Sequence, residues 1–222
     1  MSQNKAILLT FGVLIFSIVF FAQTDVDIWV QDLFFDKFEH QWILDSNLQP
    51  YKFIFYDGLK RFLILIAVGI LLSLIFLRKK AWVKAYRRGM IVVVLSAILV
   101  PVVVGALKKT TNMPCPKNEI HYGGVYPKVK VWEHYPKSFH QEGTSKCWPA
   151  GHASGGFALL SLWFLFKSRR NKHLALVTAL TVGWSMGLYK MLVGDHFLSH
   201  TVITMLLAWL IILLVDRLLP NR

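Results

Sequence analysis

Six apolar runs divide this chain, at about 6–22, 62–77, 89–107, 152–166, 174–192 and 197–215. Each is long enough, or nearly so, to cross the ~30 Å hydrocarbon core of a bilayer as an α-helix. The pattern predicts an all-α, polytopic membrane protein, a six-transmembrane-helix bundle forming one integral membrane domain over residues 1–222. An apolar content of 55% and a mean hydropathy of +0.49 agree with it. The first run follows Lys5, as a secretory leader would. The residues after it, Ala22-Gln23-Thr24-Asp25, lack a small-x-small cleavage pattern, so a retained helix is expected.

A formal charge of +13 raises the question of nucleic acid, but these charges do not form a soluble basic face. They bracket the apolar runs, which points to anionic lipid headgroups and the positive-inside rule and to no nucleic-acid partner. Arg78, Lys79, Lys80, Lys84, Arg87 and Arg88 fill the second loop, and Lys167, Arg169, Arg170 and Lys172 the fourth. Both are expected to be cytoplasmic, with both chain termini. The first loop, 23–60, carries seven aspartates and glutamates and many aromatic residues. It is expected to face outward and to lie along the interface as short amphipathic helices.

The third loop, 108–150, also faces outward in this scheme, yet it is rich in lysine. Such a loop can collect a phosphorylated substrate. Around it, three polar clusters fall at the ends of three different apolar runs. They are Lys108 with Lys109, the stretch Pro149-Ala150-Gly151-His152, and Lys190 with Asp195, His196 and His200. Ionisable groups at the membrane edge are costly and are functional by default. All three clusters are expected on the outer face, which makes that face the candidate active site.

The chemistry follows from the residue types. A helix opening at Gly151 directs N–H groups and a positive dipole end at the loop, which is an anion site. Lysines beside it stabilise a phosphoryl group. One histidine can attack phosphorus, a second can protonate the departing oxygen, and a third group can fix the nucleophile's tautomer. His196 and His200 are one helical turn apart. That spacing also suits zinc, but Phe197 stands where the usual glutamate would follow the first histidine. Two cysteines, Cys115 and Cys147, are too few for a disulfide scaffold. Each lies beside one of the clusters, so a disulfide between them is expected.

These residues resemble the type-2 phosphatidic-acid phosphatase (lipid phosphate phosphatase) superfamily, with its motifs K-x6-R-P, P-S-G-H and S-R-x5-H-x3-D. Lys108, six residues, then Cys115-Pro116 is similar to the first. Pro149-Ala150-Gly151-His152 is similar to the second. Tyr189-Lys190, five residues, His196, three residues, His200 is similar to the third. The resemblance implies that His196 becomes a phosphohistidine, that His152 is the general acid, and that Lys108, Lys190 and the backbone at Ala150 and Gly151 bind phosphate. It implies no metal and no other cofactor. Four positions depart from the motifs: Cys115 for arginine, Ala150 for serine, Lys190 for arginine and His200 for aspartate. Lys190 trades a bidentate fork for a point charge, and Lys109, Lys117 or Lys146 are candidates for the missing cation.

The function expected is a membrane phosphatase acting on a lipid phosphate or pyrophosphate at the periplasmic face of a bacterial inner membrane. Its partner is the membrane lipid substrate, with anionic lipids at the cytoplasmic loops. A lipid phosphotransferase, or a non-catalytic lipid-phosphate binder, would use the same residues.

Overall fold

The computed structural model describes residues 2–46, 48–141 and 143–220. The chain is mostly helix: α1 (Gln3–Gln23), α2 (Val26–Asp32), α3 (Gly58–Phe76), α4 (Ala81–Thr110), α5 (Gly151–Ala158), α6 (Leu162–Leu165), α7 (Arg169–Leu192) and α8 (Leu198–Leu218). Two of the long helices open on a serine cap. Ser2 accepts from the Lys5 N–H and Ser168 from the Asn171 N–H, each satisfying an end group the helix itself leaves open. Five helical segments are long and apolar enough to cross a membrane: Gln3–Gln23, Phe53–Phe76, Ala81–Thr110, Arg169–Leu192 and Leu198–Leu218.

The run expected as a sixth such helix, 152–166, is divided. α5 passes through a 3-10 turn (Leu159–Ser161) into the single turn of α6. From 151 to 165 it reaches roughly 23 Å at 1.5 Å per residue, less than a hydrocarbon core. Gly155 and Gly156 lower its helix propensity, and close packing shapes the rest. A Cβ on Gly156 would lie 2.7 Å from the Gly183 Cα, and one on Gly89 would lie 2.6 Å from the Leu165 Cα. The segment is therefore wedged against α7 at one end and α4 at the other. The core forms around it, from Val92 and Val100 of α4, Ala153 and Phe157 of α5, Ala179 of α7, and Ala208 and Ile212 of α8. α1 packs against α8, and α3 lies on the outside with no buried residue.

The two ends of the bundle differ in chemistry. At one end Arg88 donates to the Asp216 carboxylate and to its carbonyl, while Gln3 donates to the other carboxylate oxygen at 2.7 Å. This clasp ties α1, α4 and α8. At the other end lie the connections 24–57 and 111–150. The first holds α2 and also a two-stranded antiparallel hairpin, β1 (Phe35–Asp36) and β2 (Gln41–Trp42), with Phe35 opposite Trp42. Short helices alone were expected there. The hairpin turns because the Asp36 carboxylate accepts from the Phe38 and Glu39 N–H groups at 2.8 and 3.1 Å, an Asx-type turn.

Cys115 and Cys147 are joined by a disulfide across a sequence separation of 32. Chain entropy for a loop of that length gives ~3–4 kcal/mol. Replacing both cysteines by serine is expected to lower stability by about that amount. A thermal melt in detergent checks it, and the native protein in reductant should melt like the double variant.

Candidate active site

The site is assembled at the end of the bundle opposite the Arg88–Asp216 clasp. Lys108 comes from the last turn of α4, Gly151 and His152 open α5, and Lys190 lies in the last turn of α7. His196 sits in the turn between α7 and α8, and His200 in the first turn of α8. A Cβ on Gly151 would stand 3.7 Å from the Lys108 ammonium. The His152 and His196 ring centroids are 6.0 Å apart, and those of His196 and His200 are 5.5 Å apart. Lysines and histidines from four helices thus face one another.

Local chemistry explains the α7–α8 turn. Gly194 has φ +72, the left-handed conformation that ends a helix, and a Cβ there would lie 2.3 Å from the Trp42 ring. The Lys190 carbonyl accepts from both the Asp195 and His196 N–H groups, at 2.8 and 3.2 Å. The turn is held from outside as well. Gln31 donates to the Met191 carbonyl at 2.7 Å, and Asp27 accepts from the Ser199 N–H at 2.8 Å. The Leu44 N–H donates to the Leu192 carbonyl and the Lys117 N–H to the Gly194 carbonyl. Asp27 therefore caps α8 from another helix, since the α8 cap residue Phe197 offers no side-chain bond.

His196 is buried, and its Nδ1 lies 3.3 Å from His200 Nδ1. Its Nε2 has no hydrogen-bond partner among the described residues. Burial first, then His200 and Lys108 beside it, holds His196 well below the usual histidine range. It is neutral at physiological pH. For Nε2 to carry the lone pair, the His196 proton must reside on Nδ1 and be donated to His200. The Cys147 carbonyl lies by the His200 ring, outside hydrogen-bond geometry.

Asp195 binds two cations, Lys117 at 2.7 Å and Lys190 at 2.8 Å. Burial raises its carboxyl, but these two ammoniums outweigh burial and leave it below the usual carboxylate range. Of the three candidate replacement cations, Lys117 is joined to the α7–α8 turn in this way. Ala150 is fully buried, and its N–H is given to the His200 carbonyl at 3.3 Å. It registers the start of α5 against α8, and that N–H is not directed at a ligand. Lys109 is exposed at the end of α4. No group of three or more metal-ligating side chains occurs among the described residues.

A cavity of about 390 Å³ adjoins the site. Lys60 of α3, Gly151, His152, Ser154 and Ser161 are among its lining residues, and its walls are largely apolar, from α3, α4, α5 and α7. Asp27 and Gln31 were not legible as residues that hold the site. Their partners, the Ser199 N–H and the Met191 carbonyl, lie far along the chain, so no spacing pattern could have marked them.

Behind α8, Glu119 is 2% exposed. Burial pushes its carboxyl up to about 8, Lys128 opposing and Asp27 adding to the rise. The folded state therefore holds a proton that the unfolded chain releases near 4.5, and stability falls as pH rises from there through about 8. Glu119→Gln is expected to stabilise the protein at pH 8.5 by ~5 kcal/mol at most, and so to raise its melting temperature there, with the advantage gone below about pH 5. Paired thermal melts across pH test this.

A family model described as PAP2 superfamily matches residues 89–222. Searches of the curated proteins and of the solved structures find no match.

Proposed function

The chain belongs to the PAP2 superfamily, whose members are phosphatases, and from that premise we propose that it hydrolyses a lipid phosphate or pyrophosphate through a phosphohistidine. The observation that carries the reading is the state of His196. One ring nitrogen is held by His200, while the other is buried, without a partner among the described residues and beside a second histidine. A nucleophile oriented by one neighbour and opposed by a proton donor is the arrangement that covalent catalysis needs.

In the proposed reaction, Lys108, Lys190 and the start of α5 hold the phosphoryl oxygens and the charge that spreads over them. His196 Nε2 attacks phosphorus in line with the departing oxygen. His200 accepts the Nδ1 proton bond, fixes the ring and stabilises the imidazolium less strongly than a carboxylate would. His152 protonates the departing oxygen, then takes a proton from the water that cleaves the phosphorus–nitrogen bond. Asp195 keeps the Lys190 ammonium in place beside the site. The cavity beside His152 receives the apolar part of the substrate.

The remaining placements belong to the same proposal. The wedged segment 151–165 is the sixth crossing element, shielded by its neighbours. The site opens at the periplasmic face of a bacterial inner membrane, and both termini are cytoplasmic. The basic loops around 78–88 and 167–172 then meet anionic lipid.

The test is phosphate release from a panel of lipid phosphates and pyrophosphates by detergent-purified protein, with and without EDTA. Release that survives EDTA supports a metal-independent phosphatase. Release lost to EDTA overturns it. Transfer of label to a second lipid without free phosphate would make the protein a transferase. Lipid binding without turnover would make it a binder.

A further inference from the structure

The turn that carries His196 is held from a part of the chain that precedes residues 89–222, the stretch the family model matches. Asp27 and Gln31 stand one helical turn apart on α2 and so share a face of it. Gln31 donates to the Met191 carbonyl at the end of α7, 2.7 Å away, and Asp27 accepts from the Ser199 N–H at the start of α8, 2.8 Å away. One short helix thus grips the α7–α8 turn on both sides. From Ser199 the hold passes on directly. His200 is the next residue, its carbonyl accepts from the Ala150 N–H at 3.3 Å, and its Nδ1 meets His196 Nδ1 at 3.3 Å. That last contact is long for a hydrogen bond, so a small shift in the first turn of α8 would break it and free the His196 ring.

Capping alone does not call for a carboxylate. Asparagine and serine cap a helix about as well as aspartate, and neither carries the desolvation cost of a charge. At Asp27 that cost shows: burial pushes its carboxyl up to about 6, although the Ser199 bond and Lys128 both act the other way. What the charge adds is strength. An ionised acceptor makes a shorter bond, about twice as strong as a neutral one, and a negative charge suits the N-terminal end of α8. The carboxyl also lines a cavity of about 60 Å³ behind α8, together with Glu119, Lys128 and Lys130. That is room for about two waters at ~30 Å³ each, which gives protons a way to reach it.

We propose that Asp27 and Gln31 are positioning residues for the hydrolysis, acting through the α7–α8 turn on the His200–His196 pair, and that the Asp27 charge keeps that pair in register. The proposal rests on the hydrolase reading above. Neither residue touches substrate. The pH dependence follows with its sign. Above about pH 6 Asp27 is ionised and the hold is full. As pH falls through that value the carboxyl takes up a proton, and the bond weakens to that of a neutral acceptor. The groups around Asp27 leave this window clear. Lys128 is paired with Asp25 at 2.7 Å, a pairing that holds the Asp25 carboxyl below the usual range. Glu119, raised to about 8, keeps its proton throughout, and burial raises the Tyr122 hydroxyl further still. Lys130 is the other cation at the cavity, and α1 presents only Ile18, Phe21 and Ala22 to it. On α8 the nearest titratable group along the chain is His200 itself.

The test compares wild type with Asp27→Asn, which keeps an accepting oxygen and removes the charge. Both are full-length proteins in detergent, assayed on the best lipid of the panel. The ratio of wild-type to variant kcat is expected to be near one at about pH 4.5 and to climb to about fivefold at about pH 7.5, with KM within about twofold. The midpoint should lie at about 6. Gln31→Met releases the other grip and keeps the charge, so it should lower kcat about threefold at every pH. A ratio for Asp27→Asn that is flat across pH overturns the proposal, because a merely structural cap changes the amount of folded protein and not the profile. So does a Gln31→Met protein with full kcat, or with a loss that depends on pH. Should Asp27→Asn fail to fold by thermal melt, Asp27→Ser takes its place with the same ratio expected. A wild-type kcat that shows no step at about pH 6 overturns the proposal without any variant. If the wild type neither releases phosphate nor binds orthovanadate, the hydrolase reading fails and this inference with it. Turnover with a flat ratio overturns this inference alone.

Discussion

Replacing His196 by alanine is expected to abolish phosphate release, by a factor of about 10⁴ or more, with the fold intact. The size of the effect follows from the geometry. No other histidine is expected to take its place: His200 Nδ1 is 3.3 Å from His196 Nδ1, and His152, its ring 6.0 Å from that of His196, is the proton donor in the proposed reaction. Two measurements check it together. Steady-state release from the best lipid gives the loss of rate. Acid-labile, base-stable label on the protein after a rapid quench reports the phosphohistidine, which should be absent in His196→Ala. Label that persists in the variant would move the nucleophile elsewhere. His196 is already neutral well below the usual histidine range, so the acid limb of kcat/KM should also fall below pH 6.5, the ordinary histidine value.

The second large effect is one of packing. Gly183 of α7 faces Phe157 of α5, and a Cβ at Gly183 would come 2.3 Å from that ring. Phe157 is fully buried, so it has nowhere to move. Gly183→Val is expected to cost about 3 kcal/mol, at the upper end of overpacking effects, and to push α5 and α7 apart. Those helices carry His152 and Lys190, so turnover should fall along with the melting temperature. Gly183→Ala should show a smaller version of both. Close approach through small residues is how helices associate in lipid, where burial gives little drive. A Gly183→Val protein with native melting temperature and full activity would show that α5 and α7 do not meet in this way.

Much of the site was legible in the sequence because its members follow the chain's own punctuation. Lys108, His152, Lys190, His196 and His200 all sit where an apolar run begins or ends, and helix geometry alone brings such ends together. The first and last helices, with their uniform apolar character, were legible for the same reason. The break in 151–165 was not, because counting apolar residues does not register how near another backbone will come. Gly156 and Gly89 carry that information only once Gly183 and Leu165 are seen against them. The short hairpin at Phe35–Trp42 was hidden by its length, with two residues in each strand. Asp27 and Gln31 read as ordinary loop residues, because the groups they hold, the Ser199 N–H and the Met191 carbonyl, lie more than half the chain away.

The packing of α1 on α8, closed by Gln3 on Asp216, has a consequence for biosynthesis. α1 is made well before the helix it is paired with, α8. At ~5–20 residues per second, the stretch between Gln23 and Leu198 takes on the order of ten to thirty seconds to synthesise. During that time α1 resides in the bilayer without its partner, and Arg88 of α4 without its counter-charge. α8 must be made before the bundle can close. An insertase or lipid that shelters α1 and α4 for those seconds would set the yield of active enzyme, and a chain stalled before α8 would be left with Arg88 exposed to quality control.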